Sequence, residues 1–419
     1  MRIAIVGTGV AGLTCAHLLH REHDVTVFES SPRPGGHAHT VLVQDGDRTH
    51  HVDTGFIVYN ERNYPLFSAM LRELGVATRP SDMSFAVSDL GANLEWRGSS
   101  PASIFAQPRN LARPAFLRML GDVARFNRAA RQLLERDVDL DYSLEEFLSD
   151  GRWSRAFREW YLIPMGSAIW SADPAVFADF PAIAFARFFN NHGLLGLGDR
   201  PQWRTVIGGS ATYVHAILDP LGERVRVATS IDKVVRRAGG VELATSRGEC
   251  EYFDHVVLAT HSDQALALLA DPTDDERDVL GSIAYRRNDA TLHTDDALLP
   301  TNPRARASWN WRQGARGDAA TLTYDLSRLQ GLPSTRPICL TLNGADAVRR
   351  DLVIETLVYE HPVYNGAAMK AQRRHGEIDG RHGVSFAGAY WGYGFHEDGA
   401  RSAYDVARRL GVTPTKELA

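Results

Sequence analysis

The sequence predicts an α/β fold that begins with a Rossmann-like βαβ unit, and three observations predict it. Residues 2–6 form a short apolar run rich in β-branched side chains, and the run ends at a GxGxxG motif, Gly7-Thr8-Gly9-Val10-Ala11-Gly12. A segment with apolar residues at helical spacing follows. A second apolar run, residues 24–28, then ends in Glu29. Strand, glycine turn, helix, strand and acid stand in the order that dinucleotide binding requires.

Each part of this motif has a physical role. Gly7 permits the tight turn, Gly9 lets the backbone approach a pyrophosphate, and Gly12 lets the helix pack close to the strand. The free N–H groups and the positive dipole end at the start of the helix favour phosphate. Glu29 can accept hydrogen bonds from ribose hydroxyl groups. The sequence therefore predicts a dinucleotide site that includes Gly7, Gly9, Val10, Ala11, Gly12, Glu29 and Ser30.

The composition limits the remaining choices. The chain has 419 residues, of which 44% are hydrophobic and 23% are charged, as is usual for globular proteins. A net charge of -5 argues against a nucleic-acid partner. Cys15, Cys250 and Cys339 lack metal-ligand or disulfide spacing, so we expect core residues and no metal site. With no basic leader and no apolar run of about 18 residues, we expect a cytoplasmic protein. Peripheral membrane contact and a homodimer stay open.

The segment after the first unit predicts a hairpin, a helix and the start of a second domain. Residues 41–60 predict strands around an Asp45-Gly46-Asp47 turn, with an interruption at Asp53-Thr54-Gly55. Residues 63–74 predict an amphipathic helix that is closed by Gly75. Residues 84–96 alternate enough to predict strands, which we place in the second domain.

Residues 101–201 predict mostly helices. Arginines at 118, 125, 128 and 131 interleave with apolar residues, which fits either a core-packed helix with solvated arginines or a membrane-surface helix. The stretch 161–171 is apolar, uncharged and broken by Pro164. It predicts either a helix junction in the core or the wall of an apolar pocket.

The rest of the chain returns twice to strand-rich segments. Residues 203–210 predict a strand with a Gly-Gly turn before a helix over 211–218, and residues 225–227, 231–235 and 241–243 predict a β-meander. Residues 253–260 predict a buried parallel strand. Residues 289–294, 307–311, 320–324 and 338–342 predict one antiparallel sheet. A Phe-Ala-Gly strand at 384–390 precedes a glycine-aromatic loop and a helix over 401–410.

The doublet Gly35-Gly36, followed by His37, resembles the N-terminal motif of FAD-binding flavoproteins of the amine oxidase and phytoene desaturase type. The resemblance implies FAD rather than NAD, bound non-covalently. It implies a glutathione-reductase-type FAD-binding domain interleaved with an α+β substrate domain, as in amine oxidases. The implied FAD-binding domain covers 1–80, 203–268 and 376–419, and the substrate domain covers 81–202 and 269–375 with a helical insert at about 101–201.

The same resemblance implies further cofactor residues. In the family, the segment of Thr54, Gly55 and Phe56 passes the flavin, and the backbone at the position of Val234 meets the adenine. The strand that ends at Ala259 matches a second cofactor-domain signature. The closing strand and helix point at the flavin ring. The additional residues implied are Gly35, Gly36, His37, Thr54, Gly55, Phe56, Val234, Ala259, Gly388, Ala389, Phe395, His396 and Glu397.

Candidate catalytic residues come from the last motif. His396 lies between the loop and the helix, where we expect either a general base or a local hydrogen bond that shapes the loop. Tyr390 and Tyr393, together with Trp391, are expected to line a pocket above the flavin. His293 and His361 are further candidates. Glu397 and Asp398 are expected to cap the final helix.

A departure from the family concerns lysine. Many flavin amine oxidases use a substrate-domain lysine near the flavin, which we place in the strand at 288–293. The chain's lysines are Lys233, Lys370 and Lys416, and none occupies that strand. This departure lowers the expectation of amine oxidation.

Within the superfamily the chain is similar to a bacterial group of FAD-dependent proteins associated with fatty-acid-modifying methyltransferases. The matching segments are 35–40, 163–165 with 169–171, and 394–399. The resemblance implies dehydrogenation, that is desaturation, of a hydrophobic acyl chain or lipid by hydride transfer to flavin N5. The alternatives are an amine or amino-acid oxidase that produces hydrogen peroxide, and a non-catalytic FAD-binding partner protein.

Overall fold

The computed structural model describes residues 1–170, 179–196, 198, 200–314 and 320–412. Two positions considered above, Ser171 and Lys416, lie outside the described residues. Over the part of the chain that is described, no helix combines the length and apolarity needed to cross a bilayer.

The elements follow each other in an order that mixes strands and helices throughout. The strands are β1 (Arg2–Val6), β2 (Asp24–Phe28), β3 (Thr40–Asp45), β4 (Arg48–Asp53), β5 (Tyr59–Asn60), β6 (Thr78–Pro80), β7 (Phe85–Asp89), β8 (Leu94–Arg97), β9 (Trp203–Val206), β10 (Val225–Arg226), β11 (Ile231–Arg237), β12 (Gly240–Thr245), β13 (Cys250–Phe253), β14 (His255–Leu258), β15 (Tyr285–His293), β16 (Trp309–Gln313), β17 (Thr321–Asp325), β18 (Cys339–Leu342), β19 (Val353–Pro362) and β20 (Val384–Phe386). The helices are α1 (Val10–Leu19), α2 (Pro65–Glu73), α3 (Pro101–Ile104), α4 (Pro114–Leu134), α5 (Leu144–Gly151), α6 (Arg155–Phe157), α7 (Ile163–Trp170), α8 (Ala182–Asn191), α9 (Ala211–Leu218), α10 (Ser262–Leu268), α11 (Asp274–Gly281), α12 (Leu326–Gln330), α13 (Gly366–Gln372), α14 (His375–Ile378) and α15 (His396–Arg409).

A parallel sheet with strand order β10-β2-β1-β14-β20 forms the first half of the fold. Residues 3–6 of β1 and 256–258 of β14 are continuous buried apolar runs, as is usual where both faces of a parallel sheet are covered. Ile3, Ile5 and Val257 share one core with α1 and α15. On the other face, the meander β11-β12-β13 and helices α10 and α11 share a second core with β14 and β20. The predicted Rossmann-like unit is confirmed.

The predicted β-meander was wrong in its first strand. Val225–Arg226 pairs in parallel with β2, opposite Val27 and Phe28, and so forms the edge of the parallel sheet. The meander consists instead of β11, β12 and β13. A segment of two or three residues is too short to show an alternation of apolar and polar residues that would distinguish the two sheets. Tertiary packing therefore determines which strand it pairs with.

The second half of the fold is a large sheet with strand order β19-β15-β18-β17-β16-β7-β8. Its neighbouring strands are antiparallel except β16 and β7, which run in parallel. The helical insert packs against this sheet, and Trp96, Phe126, Phe185 and Leu340 share its core. The predicted combination of a Rossmann-like domain with an α+β domain is confirmed. The domain boundaries stay a prediction, since Val279 of α11, assigned above to the substrate domain, lies in a core of the parallel sheet.

Helix α4 packs its apolar face into the core, as the first of the two alternatives predicts, while membrane contact by its other face stays a prediction. Phe116, Met119 and Phe126 are buried, whereas Arg118 and Arg128 are exposed. Arg125 pairs with Asp122 at 2.8 Å. The arginines therefore form the solvated face of an amphipathic helix.

A buried junction joins the two halves. The carboxylate of Asp53, at the end of β4, accepts hydrogen bonds from the Ser210 backbone N–H at 2.8 Å and from the Thr40 hydroxyl at 2.6 Å. Gln330 of α12 accepts a hydrogen bond from the Asp53 N–H and donates one to its carbonyl oxygen, at 2.9 and 3.0 Å. Burial raises the pKa of Asp53 to about 6. The junction fixes β4 against the start of α9. It thereby positions residues 54–56, which directly follow Asp53.

Candidate functional site

A cavity of about 840 Å³ lies where the two halves meet. The residues that follow the carboxyl ends of β1, β2, β14 and β20 line one side, and side chains of the large sheet and of α7 and α8 line the other. The carboxyl edge of a parallel sheet is where open α/β folds bind ligands. This cavity is therefore the candidate active site.

The glycine motif forms a cradle on the first side of the cavity. Gly7 has φ +101°, and a Cβ atom there would come within 2.7 Å of the Ala259 carbonyl oxygen. A Cβ at Gly12 would come within 2.0 Å of the Gly7 oxygen, whereas a Cβ at Gly9 would meet no protein atom within 4 Å. Gly9 therefore presents bare backbone to the cavity, which fits the close approach of a pyrophosphate.

Glu29 lies in the cavity lining at the end of β2. Its carboxylate accepts the Thr8 N–H at 3.0 Å and the Ser31 N–H at 2.8 Å. These bonds fix the carboxylate while leaving it partly exposed, as recognition of ribose hydroxyls needs. The bare backbone at Gly9 and the accepting carboxylate of Glu29 therefore fit an adenine dinucleotide.

The cavity brings together most of the residues predicted above. Those in its lining are Gly7, Gly9, Val10, Ala11, Glu29, Ser30, Gly36, His37, Thr54, Gly55, Phe56, Ala259, Gly388, Ala389, Tyr390, Tyr393, Phe395 and His396. Gly12, Gly35, Val234 and Glu397 are outside the lining. Gly12 and Gly35 support the turns behind the cradle, and the buried Val234 accepts the Ala270 N–H at its carbonyl oxygen. A role for Val234 toward adenine stays a prediction.

None of the chain's three cysteines, all of which are among the described residues, lies in the lining. Cys15 and Cys339 are buried in the core as expected, but the expectation was wrong for Cys250, which is exposed at the start of the edge strand β13. Burial raises the pKa of both buried thiols, so they stay protonated. This placement agrees with the non-covalent cofactor predicted from the sequence.

His396 begins α15 and is buried. Its Nε2 atom is 2.9 Å from the hydroxyl of Tyr213, and its ring stacks on Phe56 with centroids 3.5 Å apart. Burial lowers the pKa of His396 to about 3. The imidazole is therefore neutral near pH 7 and is held by a local hydrogen bond, while a role as base stays a prediction.

Glu397 was assigned to the wrong helix. Its carboxylate accepts the backbone N–H groups of Leu66 and Phe67, at 3.2 and 3.0 Å, and so caps α2. Asp398 caps the final helix as predicted, because it accepts the N–H groups of Tyr393 and Phe395 at 3.0 Å. Burial raises the pKa of Glu397 to about 7 and that of Asp398 to about 6.

The aromatic residues of the closing loop divide between the cavity and the core. Tyr390 and Tyr393 line the cavity, but Trp391 stacks on His375 at 3.9 Å and is outside the lining. The face-to-face contact in the lining of this region joins Phe188 and Phe395, with centroids 5.3 Å apart. Sequence reasoning missed Phe188, which lies on α8 far from the closing motif.

An apolar lobe lies on the side of the cavity that the large sheet, α7 and α8 form. Its walls include Trp96, Tyr161, Met165, Ile169, Phe188 and Leu340. The rings of Trp96 and Tyr161 stack at 6.4 Å, and burial raises the pKa of Tyr161 to about 12. The described part of the stretch 161–171 therefore forms a pocket wall.

A polar lobe lies between the cradle and the edge of the large sheet. It includes His37, His261, Tyr359 and His361. Tyr359 stacks on His37 at 5.0 Å and shares a 2.7 Å hydrogen bond with Thr54. The position of Tyr359 could have been predicted from the sequence. It stands two residues before His361, and alternate residues of a strand lie on the same face. His293, the other further candidate, is outside the lining and shares a 2.8 Å hydrogen bond with Thr341.

Comparisons with known proteins agree with this geometry. A family model described as flavin containing amine oxidoreductase matches residues 10–291. No curated protein matches the sequence. A cyclohexylamine oxidase from Brevibacterium oxydans is 16% identical with a TM-score of 0.68, covering 98% of this chain and 99% of that chain. A putrescine oxidase bound to putrescine is 15% identical with a TM-score of 0.69, covering 99% and 100%. A CLA-producing fatty acid isomerase from P. acnes is 16% identical with a TM-score of 0.67, covering 98% of both chains.

At these identities the solved structures establish the fold, while the family model spans most of the chain. The predicted FAD cofactor is confirmed, and its adenine end fits the cradle and Glu29 described above. The protein is a flavin-dependent oxidoreductase, and the chain belongs to the flavin containing amine oxidoreductase family.

Proposed function

We propose that the enzyme dehydrogenates an acyl chain or another hydrophobic lipid. The observation that carries this proposal is the apolar lobe, whose walls are aromatic and aliphatic side chains. Among the described lining residues outside the cofactor cradle, Asp82, Arg200 and Glu360 carry charge, and all three are exposed to solvent. A methylene chain gains free energy in such a lobe, whereas an ammonium group would lose hydration without a buried carboxylate to replace it.

The chain's own residues supply binding, orientation and exclusion of water. The chemistry that bound FAD supplies is acceptance of a hydride at flavin N5. Dehydrogenation also releases a proton, and we propose His396 as its first acceptor because the ring lies in the lining. Since burial lowers the pKa of His396 to about 3, the ring would pass the proton on rather than keep it. Tyr213 holds its Nε2 atom and would share the proton.

The second candidate is an amine oxidase. The solved structures that are similar in fold include a cyclohexylamine oxidase and a putrescine oxidase. The stacked pair of Phe188 and Phe395 gives the cavity an aromatic contact that could receive a neutral amine. Oxygen-dependent release of hydrogen peroxide on addition of an amine would favour this function.

An anaerobic titration distinguishes the two functions. The FAD-loaded enzyme is mixed with phospholipids that carry unsaturated or methyl-branched acyl chains, and separately with a panel of amines, while the visible absorbance of oxidised flavin is followed. We expect bleaching by lipid. Met165→Lys, which places a charge in the apolar lobe, should abolish the bleaching by lipid and retain FAD. The control Leu42→Lys changes a side chain that is 62% exposed. Bleaching by an amine alone would reject the proposal.

A further inference from the structure

Three histidines from distant segments meet in the polar lobe. The ring of His37 lies 5.2 Å from that of His361 and 6.5 Å from that of His261, measured between centroids. All three line the cavity. His37 directly follows Gly36, where a Cβ would come within 3.1 Å of the Gly9 Cα atom. The cluster therefore adjoins the cofactor cradle.

A chain of amide hydrogen bonds reaches His361 from behind. The backbone N–H of Asp289 donates to the Oδ1 atom of Asn343 at 3.0 Å. Since a backbone N–H can only donate, this bond identifies the oxygen of the Asn343 amide. The Nδ2 atom of Asn343 then donates to Oδ1 of Asn288 at 2.8 Å. The remaining amide nitrogen of Asn288 lies 2.9 Å from Nδ1 of His361.

The tautomer of His361 follows from this chain. The Asn288 nitrogen is a donor, so Nδ1 of His361 must be the acceptor and must carry the lone pair. The ring proton of the neutral form is therefore on Nε2. Burial and the neighbouring His261 lower the pKa of His361 to about 4, and burial also lowers the pKa of His37 and of His261. The cluster is therefore uncharged near pH 7.

We propose that Asn343 and Asn288 position His361 as a neutral Nε2–H donor to a hydrogen-bond-accepting atom of the bound FAD. His361 touches the cofactor in this scheme, and the two asparagines act through it. The inference rests on the shown cofactor and not on the proposed substrate. It assigns to the polar lobe a function in cofactor binding that the glycine motif does not supply.

The tautomer can be measured directly. Nitrogen NMR of protein with ¹⁵N-labelled histidine distinguishes the two neutral tautomers, and the difference from His361→Gln identifies the signal of His361. We expect an Nε2–H ring in the wild type. A wild-type Nδ1–H ring would overturn the proposal. This readout needs no substrate and no turnover.

Affinity for FAD tests the contact. His361→Phe removes the donor, so the Kd for FAD should rise about tenfold, as expected for loss of one buried hydrogen bond. His361→Gln keeps an N–H donor and should restore affinity to within about threefold of the wild type. An unchanged Kd in His361→Phe would overturn the proposal. Neither Kd measurement involves the lipid substrate. A result that rejects the His361 contact with FAD therefore leaves the proposed lipid dehydrogenation untouched.

The positioning role of Asn288 has its own variant. In Asn288→Asp the carboxylate can only accept, so it should draw the proton to Nδ1 and raise the pKa of His361. We expect the NMR signal to change to an Nδ1–H ring, which lacks the Nε2–H donor, and the Kd for FAD to rise. Asn190→Asp, at an exposed position, is the charge-matched control. If the tautomer of His361 is unchanged in a folded Asn288→Asp protein, the positioning role is rejected. If that variant does not fold, the wild-type spectrum and His361→Phe still decide the proposal.

Discussion

Gly9 and Gly12 stand three residues apart, yet alanine should affect them in different ways. Gly9 has φ −62° and open space where a Cβ would lie, so Gly9→Ala should change the free energy of unfolding of the apoprotein by less than about 0.5 kcal/mol. The added methyl group enters the cofactor's space, and the Kd for FAD should rise at least about tenfold. Gly12→Ala meets backbone at 2.0 Å and should destabilise the fold by about 3 kcal/mol or more. Denaturant unfolding and FAD titration check both. Wild-type affinity in Gly9→Ala would contradict the assignment of the cradle.

Glu397 should make the stability of the protein depend on pH. Burial raises its pKa from 4.5 to about 7, so the folded state binds the proton more tightly than the unfolded state does. The stabilisation by this proton is complete below pH 4.5 and is lost as the pH rises through about 7, with an upper bound of about 3 kcal/mol. Glu397→Gln should flatten this part of the curve of unfolding free energy against pH. Urea unfolding at several pH values measures it, and an equal slope in both proteins would show that the carboxyl is not the cause.

At the scale of elements, one glutamine holds β4, α9 and α12 together through Asp53. Gln330→Leu leaves the N–H and carbonyl groups of Asp53 unpaired in the core, and we expect a loss of about 2–4 kcal/mol in the free energy of unfolding. Gln313→Leu, at an exposed position at the end of β16, is the control. Equal urea midpoints for the two variants would contradict the junction.

Local patterns predicted the elements well because their causes are local. The GxGxxG turn, the hairpin around Gly46 and the capping of α15 by Asp398 each depend on residues close in sequence. The partner of Glu397 lies 330 positions away in α2, and β10 found its partner in β2 rather than in the next strand. The sequence does not identify which strand a short apolar segment pairs with, or which N–H groups a buried carboxylate accepts. Tertiary packing determines both.

The candidate site divides in the same way. Backbone motifs identified the cradle, since their glycines are needed wherever a pyrophosphate approaches. The hydrogen bond from Asn343 to Asn288, and from there to His361, joins three strand regions of the large sheet. No spacing in the sequence indicates such a relay, because each member has many other possible partners.

At the scale of the whole molecule, we propose that the surface near the start of α4 contacts membranes. Leu111 and Leu117 are 58% and 45% exposed, and Arg118 beside them is exposed as well. Exposed leucines with adjacent arginines suit the interface of an anionic bilayer. We expect sedimentation with vesicles that contain anionic lipid, weakened by salt and by Leu117→Ser with Arg118→Ser. Leu42→Ser is the control. Equal sedimentation of both variants would reject this surface.

The parallel sheet has a consequence for biosynthesis. Its strands β1 and β2 leave the ribosome well before β14 and β20, which complete the sheet, and α15 is the last of the described elements to be made. The glycine cradle is therefore present without β14, β20 and α15 during most of translation. We therefore expect stable FAD binding only after the chain has been made beyond β20, because a shorter nascent chain lacks the lining residues 388–390 and 393–396.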